Sequence, residues 1–277
     1  MKKVISILLI MTMIFALTTG CSADSKTEQP AESNTAKTPA EEAAKENKDE
    51  DNTLVMYTNA EFPPFEYFEG EKIVGVDVDI ANEIAKDLGK ELVVEHIDFS
   101  SIIPAVLNDK ADFGAAGMTI TAERQEQVDF SISYVESIQH IIYKTDAEVK
   151  SMEDLKGKKI GVQLGTTGDL AISDAVNLED GDLYNSGAEV KTYKNALEAS
   201  QDLLAGRLDA VVIDKLPAEE IVSSNEGLGT VVFGDISEAY GICVKKGNEE
   251  LLKSINTTLQ RLLDEGKIEE FIANHSK

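Results

Sequence analysis

The feature that most constrains the fold is a strand–helix alternation that occurs twice along the chain. In the first half, residues 54–57 form a short apolar run typical of a buried strand, and residues 77–88 have the apolar spacing of a helix that ends at Gly89. The second half repeats the pattern, with predicted strands at 159–164, 189–193 and 209–213 and a helix at 196–205, for which Leu197, Leu203 and Leu204 are the candidate core residues. This alternation predicts an α/β fold whose mainly parallel sheets are covered on both faces.

Two copies of the pattern predict two α/β lobes instead of one continuous sheet. Open α/β sheets bind ligands at the carboxyl ends of their strands, so we expect the loops there to face a shared cleft. The C-terminal part is predicted to form a strand at 239–244 and helices at 250–263 and 267–273 that return to the first lobe. We predict that the first lobe comprises 53–138 and 237–277 and the second 139–236, with crossings near 134–140 and 234–239.

The N-terminus has the pattern of an export signal followed by a tether. Residues 4–17 are almost wholly apolar, follow two lysines, and are short for a bilayer span. Gly20 and Cys21 come next and resemble a lipoprotein processing site, with an ordinary signal peptide as the alternative. Residues 22–52 contain no aromatic residue and no Val, Ile, Leu or Met. We therefore predict a signal peptide at 1–20, lipidation of Cys21, and a disordered acidic tether at 21–52.

Charge and residue spacing exclude several other classes of function. The formal net charge of −25 argues against a nucleic-acid partner. The three histidines are scattered and do not have the spacing of a metal site, and no nucleophile elbow or phosphate loop is present. We predict no metal, no cofactor and no catalytic residue, and we expect a monomer.

The most distinctive segments follow predicted strands, at 59–66, 75–79, 98–100, 116–124, 163–168 and 209–214. In their order and spacing they resemble family 3 of the bacterial extracellular solute-binding proteins over 54–271. Val76 departs from the family pattern, which usually has an aromatic or larger aliphatic residue there. The resemblance implies a two-lobed, periplasmic-binding-protein-like type II fold with the ligand cleft between the lobes.

The resemblance also implies the function and the partners. The chain would be the substrate-binding component of an ABC importer for a polar amino acid, would bind by hinged closure of the lobes, and would deliver its ligand to a permease with its ATPase. With the lipid on Cys21, it would be anchored on the outer face of the bacterial cell membrane.

A free amino acid carries a carboxylate and an ammonium on neighbouring atoms, and the motifs offer a partner for each. Arg124, near a helix start, provides a planar fork of donors for a carboxylate, which Thr119 and the Gly117 backbone would supplement. Asp214, at the end of an apolar strand, is the natural partner of the ammonium. The resemblance assigns the same roles to the matching Arg, Thr and Asp positions. The full set of predicted ligand-binding residues is Asn59, Phe62, Phe99, Gly117, Thr119, Arg124, Gln163, Thr166, Thr167 and Asp214.

The sequence leaves other roles and functions open. Taken singly, Arg124 is equally consistent with a surface arginine at a helix start, and Asp214 with a helix cap. Two further functions stay open, namely a prephenate or arogenate dehydratase with Glu61 as its one candidate acid, and a sensing module read by a separate receptor. Cystine or cysteine, arginine, glutamine and other polar ligands are all possible, and the positions expected to set the preference are Asn59, Glu61, Gln163, Ile213 and Tyr240.

Overall fold

Two five-stranded sheets form the centre of the molecule, which is described by a computed structural model over residues 52–147 and 149–276, with the backbone alone at 235 and 236. The predicted signal peptide and all of the predicted tether except Asn52 lie outside the described residues. The strands are β1 Thr53–Thr58, β2 Glu61–Phe62, β3 Glu66–Glu69, β4 Lys72–Val74, β5 Glu91–His96, β6 Phe113–Gly114, β7 Val128–Phe130, β8 Val135–Lys144, β9 Lys159–Gln163, β10 Glu189–Tyr193, β11 Ala210–Asp214, β12 Leu228–Tyr240 and β13 Cys243–Lys245. The helices are α1 Val76–Leu88, α2 Ile102–Leu107, α3 Ala122–Gln127, α4 Thr167–Asn177, α5 Ala196–Leu204, α6 Lys215–Ser223, α7 Glu249–Asp264 and α8 Lys267–His275.

The two sheets have matching layouts. The strand order is β5-β1-β6-β13-β7 in the first sheet and β10-β9-β11-β8-β12 in the second. In each sheet four strands run in one direction and a single strand, β13 or β8, runs against them. The predicted two-lobed α/β fold with mainly parallel sheets is confirmed. A small antiparallel sheet, β2-β3-β4, was not predicted, because its strands are too short to show a periodic pattern.

The chain passes between the lobes on two long strands that pair with each other. The antiparallel pairing of β8 and β12 runs from Leu228 opposite Lys144 to Tyr240 opposite Val135, with a register shift between Val232 and Ser237. At its end, Tyr240 also forms a bridge to Thr119 of the first lobe. The predicted lobe boundaries, 138/139 and 236/237, fall inside these strands and stay a prediction.

The first helix follows the predicted pattern closely. Its buried face includes Ile80, Ala81, Ile84 and Ala85. The helix ends at Gly89, which has φ 65° and ψ 29°, a left-handed conformation that costs glycine little.

The prediction for α5 was partly wrong. Leu197 and Leu204, expected in the core with Leu203, are 40% and 39% exposed, whereas Leu203 is fully buried. The buried stripe of α5 instead runs through Ala196, Ala199, Ser200 and Leu203. Small side chains on this stripe let the helix approach the sheet closely, so the two other leucines are left facing outward.

The C-terminal segment also differs from the prediction of one strand over 239–244. Its residues belong to two strands, because β12 ends in the second sheet at Tyr240 and β13 begins in the first sheet at Cys243. The helices α7 and α8 then pack on α1 of the first lobe, as expected. Arg261 of α7 donates to Glu83 at 2.9 Å and to Asp87 at 2.8 Å.

Within the described residues, no helix combines the length and apolar character that a membrane span requires.

Candidate functional site

A cavity lies between the two sheets, at the strand ends where the sequence predicts a ligand site. All ten residues predicted to bind the ligand line this cavity, and Glu66 and Ala116 line it as well. The structure therefore brings the whole predicted set together, although six of its residues lie within 59–124 and the other four within 163–214.

Arg124 is held inside the cavity by groups from both lobes. Its backbone N–H donates to the side chain of Thr121, which caps α3. The guanidinium donates to the carbonyl oxygen of Thr119 at 2.6 Å and to that of Gly165 in the second lobe at 3.1 Å. It also lies over the Phe99 ring, 5.4 Å from the centroid. Arg124 is only 8% exposed, which excludes the alternative of a surface arginine. Burial lowers the pKa of its guanidinium, which nevertheless stays charged.

Asp214 lies opposite, at the end of a strand whose five residues are all buried. It precedes α6 directly, yet its side chain makes no capping hydrogen bond, so the capping alternative is excluded. One carboxylate oxygen accepts from the Tyr240 hydroxyl at 2.6 Å. Burial raises the pKa of Asp214 to about 7, and the nearby charge of Glu238 adds to the effect.

Glu238, on β12, links both lobes beside Asp214. Its Oε2 atom accepts from the hydroxyls of Thr119 and Thr167, both at 2.9 Å, and from the Gln139 side-chain amide at 3.1 Å. The side chain is 8% exposed. The sequence did not predict Glu238, because it lies in no recognisable motif and its contacts depend on three distant segments.

A second pair of acids consists of Glu66, which lines the cavity, and its neighbour Asp77. Glu66 is fully buried, and its only hydrogen-bond partner among the described residues is the Asp77 carboxyl group. Burial, followed by the neighbouring Asp77 carboxylate, raises the pKa of Glu66 well above its usual range. Asp77 accepts from the Gly117 backbone N–H and the Tyr134 hydroxyl, both at 2.8 Å, and burial raises its pKa to about 6.

The remaining polar groups of the cavity form one direct contact between the lobes and two contacts within a lobe. The Gln163 side-chain amide, at the end of β9, donates to Asn59 Oδ1 at 2.9 Å. The Asn59 amide donates in turn to the Ile97 carbonyl oxygen at 2.9 Å. Thr166 caps α4 by accepting from the Asp169 backbone N–H at 3.2 Å, which places the N-terminus of this helix at the cavity.

Three positions expected to influence the ligand preference do not line the cavity. Tyr240 is fully buried beneath Asp214, Ile213 is buried in the core, and Glu61 lies half-buried on β2. Phe65, for which core packing is the competing role to ligand contact, is fully buried edge-on against Tyr240, with ring centroids 5.1 Å apart. Among the described residues, no three His, Cys, Asp or Glu side chains are grouped to hold a metal ion.

Comparison with known proteins agrees with this geometry. Residues 54–276 match the model of the bacterial extracellular solute-binding proteins, family 3. The chain belongs to this family. This solute-binding protein is 36% identical to the arginine-binding extracellular protein of Bacillus subtilis, over 78% of the chain and 83% of that protein. It is 33% identical to a probable histidine-binding protein of Neisseria gonorrhoeae, over 79% of the chain and 81% of that protein.

Solved structures give the same result. The solute-binding protein superposes on an ancestral arginine-binding protein bound to arginine with a TM-score of 0.75 and 42% identity, covering 81% of this chain and 98% of the other. It is thus the extracytoplasmic substrate-binding component of an ABC importer for a polar amino acid. Because members of the family are binding proteins of transporters, the dehydratase alternative is wrong.

Proposed function

We propose that the ligand is a cationic L-amino acid, with arginine as the first candidate. The observation that carries the proposal is the excess of buried acid around the cavity. Glu66 and Asp214 line the cavity, and each has a second buried acid beside it, Asp77 or Glu238, against the single guanidinium of Arg124. A close pair of buried carboxyls retains one proton between them, because two adjacent charges repel strongly.

Asp214 gives up its proton when it holds the ligand's ammonium, so the acids outnumber the single guanidinium and the site stays net negative around a neutral zwitterion. An amino acid with a cationic side chain offsets part of that negative charge. Uncompensated charge is costly in a buried site, so the arrangement favours the cationic ligand. The arginine-binding relative and the arginine-bound structural neighbour support the same assignment.

The ligand's own charges suggest its orientation. Its carboxylate pairs with Arg124 and the N-terminus of α4 at Thr166 and Thr167, where backbone N–H groups and the helix dipole favour an anion. Its ammonium pairs with Asp214. The charged end of its side chain donates to Glu66, the acid that lines the cavity beside Asp77, and the Phe62 ring contacts the aliphatic part.

A comparison of arginine with citrulline tests the cationic preference, because citrulline carries a neutral urea in place of the guanidinium. Calorimetry should show arginine binding roughly 10- to 100-fold more tightly, the range expected for hydrogen bonds to a charged group. Glu66→Gln should remove most of that difference. Glu61→Gln changes an acid on β2 outside the cavity and should preserve it. Equal affinity of the unmodified protein for both ligands would overturn the proposal.

We propose hinged closure of the lobes as the binding movement. The Arg124–Gly165 and Gln163–Asn59 hydrogen bonds join the two lobes across the cavity, and the crossing strands β8 and β12 are the places where the chain can bend. When the two lobes close around the cavity in this way, they bury the ligand and change the outer surface that a permease contacts.

We also propose that the protein is a monomer held at the membrane by a lipid on Cys21, after removal of residues 1–20. The support is the apolar segment, the Gly20-Cys21 junction and the polar composition of 22–52. Such a tether lets a folded domain reach a permease while it stays close to the bilayer.

A further inference from the structure

Glu238 makes an unusual set of contacts for a residue outside the predicted site. One of its oxygens accepts three hydrogen bonds, from Thr119 of the first lobe, Thr167 of the second and Gln139 of the crossing strand β8. Both threonines, but not Glu238 itself, line the cavity.

The number of protons determines what the threonine hydroxyls can offer a ligand. A hydroxyl has one proton to donate and lone pairs that accept. Because Thr119 and Thr167 both donate that proton to Glu238, the hydroxyls have only lone pairs left for the cavity, and Thr167 also accepts a long hydrogen bond from the Gln139 amide at 3.4 Å. They are therefore unsuited to hold the ligand's carboxylate, which Arg124 and the backbone at the start of α4 can hold without them.

These acceptors match an ammonium group. An ammonium has three N–H donors and no acceptor. Asp214 supplies one acceptor, and the two hydroxyls supply the other two, all on the wall of the same cavity. Glu238 also lies next to Asp214 and adds negative charge behind this group of acceptors.

We infer that Glu238 is a positioning residue for the α-ammonium of the ligand, and that it acts by orienting the Thr119 and Thr167 hydroxyls as acceptors that complete an ammonium subsite with Asp214. This inference rests on the proposed orientation of the ligand. The hydroxyls of Thr119 and Thr167 then bind the ammonium of the ligand. The sequence had instead predicted that Thr119 supplements the carboxylate site.

The test is Glu238→Gln, which keeps the size of the side chain but removes its charge and adds two donors. A glutamine amide that donates to one of the hydroxyls turns the hydroxyl proton toward the cavity. Affinities should be measured by calorimetry for L-arginine and for 5-guanidinopentanoic acid, which is the same molecule without the ammonium. The variant should bind arginine at least about 10-fold more weakly, as expected for a lost hydrogen bond to a charged group, and should bind the desamino acid within about 2-fold of the unmodified protein.

Two further variants make the result decisive. Glu136→Gln changes an acid on β8 that accepts from Ser237 outside the cavity, and it should alter neither affinity. Thr119→Val removes one of the acceptors without touching Glu238, so it should reproduce the selective loss even if Glu238→Gln folds poorly. A purely structural role predicts equal weakening of both ligands, and that result, or no weakening of either, overturns the inference.

Failure of the cationic preference is a separate outcome. If another amino acid binds instead of arginine, the same comparison applies to that amino acid and its desamino analogue. The role of Glu238 then stands or falls independently of the side chain of the ligand.

Discussion

Acidification should weaken ligand binding, because Asp214 must be ionised to hold an ammonium. Its pKa in the free cavity is raised to about 7 by burial and by Glu238. A bound ammonium stabilises the charged form and lowers that pKa, so binding below pH 7 requires release of a proton. Affinity is therefore fully present above pH 7 and is lost as the pH falls below it.

The size of the effect follows from the fraction of Asp214 that is ionised. With a pKa of about 7, most of the group is ionised at pH 8, and about 1% is ionised at pH 5. The dissociation constant should rise about 100-fold between these values, which corresponds to roughly 3 kcal/mol of binding free energy. The charged or titratable groups around Asp214 are Glu238, Tyr240, Glu66 and Arg124.

Calorimetric titration at pH 5, 6, 7 and 8, in two buffers of different ionisation enthalpy, measures both the affinity and the protons exchanged. Near pH 7 about half a proton should be released per ligand. Asp214→Asn should bind weakly at every pH and show no such release from this group. Equal affinity at pH 5 and pH 8 with no proton release would refute the pairing of Asp214 with the ammonium.

Two further predictions concern the carboxylate and the membrane anchor. Arg124→Ala should weaken binding by about 2–5 kcal/mol, because it removes one partner of a buried charge pair, and Arg124→Lys should recover only part of the loss since it cannot bind bidentately. Calorimetry measures both variants, and near-native affinity in Arg124→Ala would contradict the proposed carboxylate site. Cys21→Ser should release the protein from the membrane fraction or block its maturation, as followed by fractionation and immunoblotting. A variant that stays anchored would show that the lipid is not on Cys21.

Sequence reasoning identifies the site residues best where a polar or charged side chain follows an apolar strand. Asp214 and Gln163 are polar residues at the ends of buried strands, and Arg124 lies in the first turn of α3, which follows the strand β6, so the open sheets bring all three to one cleft. Glu66 was inside a recognised motif, yet its burial depends on the packing of the small sheet β2-β3-β4. Glu238 carries no local signal at all, because its role arises from hydrogen bonds to residues about 70 to 120 positions away.

The elements that sequence reasoning described least well are those whose environment is set by distant segments. Periodicity alone placed Leu197 in the core, but the small residues on the neighbouring face of α5 pack closer to the sheet. The long strands β8 and β12 were similarly missed as strands, because each contains polar residues that pair with the other strand across the crossing.

The position of β13 has a consequence for how the chain is made and exported. This strand, from the far C-terminal part, lies in the first sheet between β6 and β7 and is hydrogen-bonded to both. A chain that crosses a membrane from its N-terminus cannot complete that sheet until Lys245 has followed. Most of the second sheet, by contrast, is built from a continuous stretch of sequence. The nascent first lobe thus stays incomplete during most of synthesis, whereas the second lobe can form earlier.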